Sequence, residues 1–158
     1  MTGINGKKNK TEKSIVLFDK SIAVKEVKSI LKDTNSSVIS LDFESFELLQ
    51  KNNINQKTYD EFLTTNEMSY IQKKSYELSD WYSHYEEKYN DLMYNDVNLG
   101  SILQSELINI LVNFIKNFYV IYKITQKYSD FEFFCSKNTS EFLHKFSIKH
   151  YLLKSLKI

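Results

Sequence analysis

The sequence predicts an α/β fold with a small parallel sheet of three or four strands, flanked by long helices that make up most of the chain. The continuous apolar run 14–18 is typical of a strand buried on both faces of a parallel sheet, and 37–41 is predicted as a second strand. Residues 22–32 between them repeat apolar side chains with a helical period, which predicts a β-α-β unit with a right-handed crossover. A third strand is predicted at 131–136, after the helical part of the chain. We expect strand 14–18 in the middle, with the other two on either side.

The segments that follow the β-α-β unit predict two shorter elements and a longer helix. Residues 43–50 have the pattern of a short amphipathic helix, and 54–58 that of a short edge strand. Thr64 and Glu67 have the Ser/Thr-x-x-Glu spacing of a capping box, which marks the start of a helix. Its apolar positions continue to about Tyr94, with a possible break at 83–84.

Residues 102–122 form the most apolar segment, and a helix there has two interpretations. It could span or lie on a membrane, or it could be the central helix of the fold, packed against strands 14–18 and 131–136. Three Asn and one Lys interrupt the segment, and each such residue is costly inside a bilayer. The pattern therefore favours a buried central helix. Beyond it, 139–146 predicts a short helix and 148–158 an amphipathic end.

Composition excludes several classes of site. The chain has 158 residues, enough for one domain, which we expect at 13–158 after a disordered tail at 1–12. It has no Arg and only three Gly, two of them within the first six residues, so a glycine-rich phosphate cradle is excluded. One Cys permits neither an intramolecular disulfide nor a cysteine zinc site. We predict no cofactor and no metal, and a cytoplasmic chain, since the polar N-terminus is no signal peptide.

Charge is unevenly distributed along the chain. Residues 33–100 carry 5 Lys against 13 acidic residues, whereas the regions on both sides are net positive. The lysines are dispersed among acids and Asn instead of forming the dense basic stripe of a nucleic-acid binder. We therefore expect no nucleic-acid partner.

Polar residues follow the predicted strands at the edge where open parallel sheets bind ligands. These are Asp19, Lys20 and Ser21 after the first strand, Asp42 after the second and Ser136 in the third. One interpretation is a ligand-binding rim in which Asp19 acts as a general base. The other is helix capping, by Asp19 or Ser21 for the first helix and by Asp42 for the second.

Two residues of the long helix are further candidates. Gly100 could allow close approach of a ligand, or it could allow tight packing where the helix begins. Glu106 lies on a largely apolar helix, and if it is buried it needs a partner or a raised pKa. It is therefore a second candidate for a catalytic residue.

A more specific prediction comes from residues 13–137. The segment Tyr59-Asp60-Glu61-Phe62-Leu63, the pair Trp81-Tyr82 and the stretch from Leu99-Gly100 into the apolar helix resemble prokaryotic surface-polysaccharide and capsule glycosyltransferase-like proteins. The resemblance is to the N-terminal Rossmann-like domain of GT-B-type enzymes. It implies a role on the acceptor side or at the domain interface of glycan biosynthesis.

The resemblance also implies what this chain lacks. In GT-B-type enzymes a C-terminal domain holds the nucleotide-sugar donor, so we expect such a domain or chain as a partner, a glycan as a possible acceptor, and no activity from this chain alone. The alternative is a non-enzymatic helical interaction module, in which residues 102–122 bind a protein or a membrane surface, peripheral to the inner face of the membrane. The two hypotheses differ in whether the apolar face of that helix is buried or exposed.

Overall fold

The computed structural model describes residues 13–84, 93–95 and 97–154; the predicted tail, 1–12, lies outside them. The strands, numbered along the chain, are β1 (Lys13–Phe18), β2 (Asn35–Ser40), β3 (Lys57–Thr58), β4 (Met93–Tyr94), β5 (Val97–Asn98), β6 (Glu132–Cys135) and β7 (His150–Leu152). The helices are α1 (Val24–Asp33), α2 (Phe43–Lys51), α3 (Thr65–Ser79), α4 (Leu99–Lys127) and α5 (Lys137–Lys145), with 3₁₀ turns at Tyr59–Phe62 and Trp81–His84.

Five of the strands form one parallel sheet in the order β3-β2-β1-β6-β7. In the centre, Ser14 of β1 lies opposite Ser36 of β2 on one side and Glu132 of β6 on the other. The predicted α/β class, the central position of the first strand and the edge strand at β3 are confirmed. The sheet has five strands, whereas three or four were predicted.

The central position of β1 follows from its side chains. Every residue of β1 after Lys13 is buried, so both faces of the strand are covered. On one face, Val16 and Phe18 pack in an apolar cluster with Val38 of β2 and Leu49 of α2. A strand without a polar face has no stable place at a solvated edge, which explains why it pairs on both sides.

The chain divides into two compact units. Among the described residues, the sheet unit comprises 13–62 and 121–154 and contains the five-stranded sheet with α1, α2, α5 and the end of α4. The helical unit comprises 63–84, 93–95 and 97–120 and contains α3, the two-stranded antiparallel pair β4-β5 and the first part of α4.

The helix α3 begins as predicted and ends earlier. The Thr64 hydroxyl accepts the Glu67 N–H, and the Glu67 carboxylate accepts the Thr64 N–H at 2.9 Å, so the predicted capping box is present. The helix ends at Ser79 and not near Tyr94, and 85–92 lies outside the described residues. The hydroxyl of Ser79 donates to the carbonyl of Tyr76, and serine hydroxyls that bond to backbone carbonyls compete with helical geometry.

The end of the chain contains a strand where we expected an amphipathic segment. The helix α5 is followed by Ser147 with φ of 58°, after which the chain turns back to run beside β6 as β7. The N–H of Leu153 donates to the carbonyl of Cys135 at 2.8 Å, extending this pairing by one bond. Three residues of mixed polarity form too weak a pattern to predict a strand from the sequence. What stabilises β7 is its backbone pairing with β6, which the sequence pattern does not show.

Apart from Gly100, the buried residues of the long helix α4 lie near its C-terminal end. Ile121, Ile124 and Thr125 are buried, whereas six of the apolar residues before them are exposed. The exposed ones are Leu99, Ile102, Leu103, Ile110, Phe114 and Phe118. The expectation of a buried central helix is therefore wrong for this part of α4. Its apolar residues surround most of the helix, and α3, the other α-helix described in the helical unit, can cover one side.

Length and composition would allow α4 to cross a membrane, and among the described residues no other helix meets that test. Its largely exposed apolar surface is compatible with a soluble chain and with one attached peripherally to a membrane.

Candidate functional site

A cluster of polar side chains lies where β1 and β6 end, and Asp19 is at its centre. Its Oδ1 accepts the backbone N–H of Ser21 at 2.9 Å and the hydroxyl of the same residue. Its Oδ2 accepts the hydroxyl of Thr139 at 2.8 Å and the hydroxyl of Ser136. We call these four residues the Asp19 hub.

The topology of the sheet brings the hub together. Strands β1 and β6 are parallel neighbours, so their carboxyl ends meet at the same edge. Asp19 follows β1 directly, and Ser136 follows β6 as the N-cap of α5, where its Oγ accepts the Thr139 N–H at 3.1 Å. One hydroxyl thus caps a helix and donates to the carboxylate, which fixes the start of α5 against the end of β1.

The chemistry available to the hub follows from its hydrogen bonds. A carboxylate has about four acceptor positions, and Asp19 accepts four bonds from its neighbours. To accept a proton from a substrate, it would have to release one of them. The predicted meeting of Asp19, Ser21 and Ser136 at one edge is present, whereas the general-base role of Asp19 stays a prediction.

A side chain caps α2, which follows β2, but none caps α1, which follows β1. Ala23 is the N-cap of α1 and makes no side-chain bond, so the expectation that Asp19 or Ser21 caps this helix is wrong. Both residues bond within their own turn instead. The Asp42 carboxylate accepts the Ser45 N–H at 2.7 Å, which confirms Asp42 as the cap of α2.

Lys20 forms an ion pair with a residue outside the hub. Its Nζ lies 3.0 Å from the Glu44 carboxylate, and both side chains are exposed. The hydrogen bond and charge of Glu44 raise the pKa of Lys20. The residue therefore takes part in a surface ion pair.

The two candidates of the long helix belong to the helical unit. The N–H of Gly100 donates to Asn98 Oδ1 at 2.8 Å, and the glycine is buried in the first turn of α4, which favours the packing interpretation. Glu106 is exposed. The buried carboxylate that would require a partner is therefore not present at this position.

Thr139 completes the hub and was not among the site residues predicted from the sequence. Its position three residues after Ser136 is the N3 position of a helix that begins after a strand, and this spacing was a usable signal. Beside the hub, Cys135 is fully buried in β6. Burial, and next the charge of Asp19, raise the pKa of its thiol to about 12.

Two further features of the described residues bear on binding. Among residues 13–84, 93–95 and 97–154, no three or more His, Cys, Asp or Glu side chains are arranged to hold a metal ion. An open pocket of about 480 Å³ lies beside α5 and β7 and includes none of the predicted site residues. It is lined by Ser140, Glu141, His144, Lys145 and His150.

Comparisons with known proteins add no family to this picture. No protein-family model matches the chain, and neither the curated proteins nor the solved structures give a match. The likeness to surface-polysaccharide glycosyltransferases therefore stays a prediction, and the parallel α/β fold is what the structure establishes.

Proposed function

We propose that this chain is a non-enzymatic interaction module that binds another polypeptide through the exposed apolar side of α4. The observation that supports the proposal is the exposure of three large side chains on that helix. Leu103 is 58% exposed, Ile110 63% and Phe114 56%. They belong to a row that we call the α4 stripe, composed of Leu99, Leu103, Leu107, Ile110, Phe114 and Phe118.

The spacing of the α4 stripe is that of a helix–helix contact. Successive members are four, four, three, four and four residues apart, which keeps them on one side of an α-helix. Fully burying one such side chain stabilises a protein by roughly 1.5–3 kcal/mol, so a row left half exposed forgoes several kcal/mol. Contiguous apolar patches of this kind mark interaction sites on soluble proteins.

The residues beside the stripe favour a polypeptide over a lipid surface. Helices that lie in a membrane interface carry several Lys or Arg on the polar face. Between Leu99 and Tyr122, α4 has a single basic residue, Lys116, and its other polar residues are mainly Asn and Ser. This composition offers little attraction for anionic lipid and suits a protein partner.

Photo-crosslinking tests the proposal. We expect Phe114→benzoylphenylalanine to crosslink to a polypeptide, because its side chain would lie in the contact. Phe43→benzoylphenylalanine is the matched control, since Phe43 is 65% exposed but lies in α2. Equal crosslinking at both positions, or none at Phe114 in a folded protein, would contradict the proposal.

A second candidate function is the glycosyltransferase-like role implied by the resemblance, in which this chain serves as the N-terminal, acceptor-side domain in surface-polysaccharide biosynthesis. It is supported by the convergence of Asp19, Ser21 and Ser136 at the carboxyl edge of a parallel sheet, the usual place for ligands in such folds. In this role the chain would act in the cytoplasm beside the membrane, together with a nucleotide-sugar-binding partner.

A further inference from the structure

We propose that the open pocket beside α5 and β7 binds a small zwitterion, a molecule that carries a primary ammonium group and a carboxylate, as a free α-amino acid does. The pocket measures about 480 Å³, and pockets that hold small ligands usually enclose about 300–1,000 Å³. All of its lining residues belong to the sheet unit. This site is independent of the proposed function, because the pocket and the α4 stripe share no residue.

A reversal of the chain after α5 forms the pocket. The helix ends at Lys145, and Ser147 has a φ of 58°, a left-handed conformation that turns the backbone. The N–H of Ile148 donates to the carbonyl of Leu143 at 3.0 Å, which holds the turn against the helix. His150 then begins β7, so its imidazole lines the pocket together with the second half of α5.

The lining residues that α5 contributes lie on one side of the helix. Ser140 and His144 are four residues apart, as are Glu141 and Lys145, and positions four apart are neighbours on a helix surface. At 1.5 Å per residue, Glu141 and Lys145 are displaced by about 6 Å along the helix axis. One wall of the pocket therefore carries both a carboxylate and an ammonium group.

The two opposite charges of this wall do not pair with each other. Glu47 and Lys51 have the same spacing on α2, and they form an ion pair at 3.8 Å. Within the part of the chain that the structure describes, neither the Glu141 carboxylate nor the Lys145 ammonium group has a hydrogen-bond or ion-pair partner. Both charges are therefore available to a ligand.

Three of the described lining side chains can accept a hydrogen bond from a ligand. The ionised carboxylate of Glu141 only accepts. The hydroxyl of Ser140 donates to the carbonyl of Lys137 at 2.6 Å, which leaves the lone pairs of its Oγ. The Nδ1 of His150 lies 2.8 Å from the carbonyl of Ile148, and since a carbonyl only accepts, this bond assigns the proton of the neutral ring to Nδ1. The Nε2 of the same ring is then an acceptor.

This set of side chains fits a zwitterion better than an amine or an acid alone. A primary ammonium group has three N–H donors and no acceptor, which matches the acceptors of Glu141, Ser140 and His150. A ligand with only an ammonium group would also meet the positive charge of Lys145. A carboxylate on the same ligand pairs with Lys145 and removes that repulsion. The neutral imidazole of His144 both donates and accepts, so it can bond to either end of the ligand.

Titrations followed by NMR test the chemistry of the ligand. We expect L-alanine to shift the imidazole signals of His150 in a saturable way. N-acetyl-L-alanine lacks the ammonium group and L-alaninamide lacks the carboxylate. Each should bind roughly tenfold more weakly, because each leaves one charge of the pocket without a partner. If either analogue binds as tightly as L-alanine, the zwitterion is the wrong ligand class, and if none of the three gives a saturable shift, the site does not exist.

Two substitutions test the roles of the charged residues. Glu141→Gln should weaken the binding of L-alanine roughly tenfold and remove the preference for L-alanine over N-acetyl-L-alanine. Lys145→Met should cause a similar loss and remove the preference over L-alaninamide. These changes of preference would not result from a merely structural role. Unchanged affinity and preference in both variants would overturn the proposed contacts.

A matched pair of control variants is available on α2. Glu47→Gln and Lys51→Met alter an ion pair of the same spacing that lies outside the pocket, so the affinity for L-alanine should stay at the wild-type value. Since Glu141 and Lys145 are exposed, their variants should also unfold at the same urea concentration as the wild type. Equal losses of binding in the control and pocket variants would mean that L-alanine responds to surface charge in general, which overturns the site.

Discussion

At the scale of single residues, the Asp19 carboxylate joins parts of the chain that are far apart in sequence. Ser136 and Thr139, which follow it by 117 and 120 residues, both donate to its Oδ2. Hydrogen bonds to a charged acceptor are stronger than those between neutral groups. The hub therefore connects the first strand to the start of the last α-helix, whether or not it also binds a ligand.

Removing this carboxylate should destabilise the fold. We expect Asp19→Ala to lower the free energy of unfolding by roughly 2–4 kcal/mol, because it leaves partly buried donors without an acceptor. Asp42→Ala should cost about 1 kcal/mol, as expected for a single helix cap. Urea denaturation measures both, with Asp60→Ala at an exposed position as control. A cost for Asp19→Ala no larger than that of the control would show that the hub does not stabilise the fold.

The thiol of Cys135 should make stability depend on alkaline pH. Its pKa is raised from 9.0 to about 12 by burial and by the charge of Asp19. Between these values the unfolded chain loses the thiol proton and the native chain keeps it, so stability falls as the pH rises. This contribution is at most about 1.4 kcal/mol per pH unit.

Comparison with a variant isolates the thiol from the lysines and tyrosines that titrate in the same range. The free energy of unfolding of the wild type should decrease more steeply from pH 9 to 11 than that of Cys135→Ala. Parallel profiles for the two proteins would mean that the thiol ionises equally well in both states.

Local patterns predicted some of these residues and missed others. Asp42 was identifiable as a cap because it directly precedes a short amphipathic helix. Asp19 and Ser21 likewise precede a predicted helix, but α1 begins later, at Val24. The Asp19 carboxylate instead accepts hydrogen bonds from Ser136 and Thr139 at the start of α5. Which hydroxyls reach Asp19 depends on the pairing of β1 with β6, and sequence spacing does not encode that pairing.

At the scale of elements, hydrophobic pattern predicted strands better than helix burial. The continuous apolar run of β1 has one stable environment, the interior of a parallel sheet. By contrast, the apolar arc of α4 is compatible with a core, a membrane or a partner, and only the structure shows that much of it is exposed. The end of α3 was missed because serine hydroxyls, and not a Gly or Pro, accompany it.

Two isoleucines of α4 give a direct comparison of its ends. We expect Ile124→Ala to lower the free energy of unfolding by about 2–5 kcal/mol, because Ile124 is fully buried. Ile102→Ala should cost less than about 1 kcal/mol, since that side chain is 57% exposed and lies outside the α4 stripe. Thermal or urea denaturation of both variants measures the difference. Similar costs would mean that the N-terminal part of α4 is packed after all.

At the scale of the whole molecule, the chain combines an open parallel sheet with a helix whose apolar side chains are partly exposed. In the sheet unit the apolar side chains of the central strand are buried. In the helical unit several large apolar side chains are exposed to solvent. The sequence contains no glycine-rich phosphate motif and no Arg that could bind a phosphate group. The exposed side chains of the helical unit are the basis of the binding role proposed above.

Activity assays test the prediction that this chain alone does not turn over nucleotide sugars. We expect the purified chain to show neither transfer nor hydrolysis of any nucleotide sugar, because the resemblance covers residues 13–137 as an N-terminal domain and assigns the donor site to a different, C-terminal domain. A panel of UDP-, GDP- and CMP-sugars, followed by release of the nucleotide, measures both reactions. Turnover that disappears in Asp19→Asn, while the variant stays folded, would instead support a catalytic hub.

The central place of β1 has a consequence for the newly made protein. On a ribosome, β1 and β2 emerge early, but the other neighbour of β1 is β6, and Ser136 directly after it trails Asp19 by 117 residues. At about 5–20 residues per second, one edge of an almost wholly apolar strand stays open for roughly ten seconds. During that interval the nascent chain is exposed to strand-mediated aggregation, so the yield of folded protein should depend on chaperones that shield this edge.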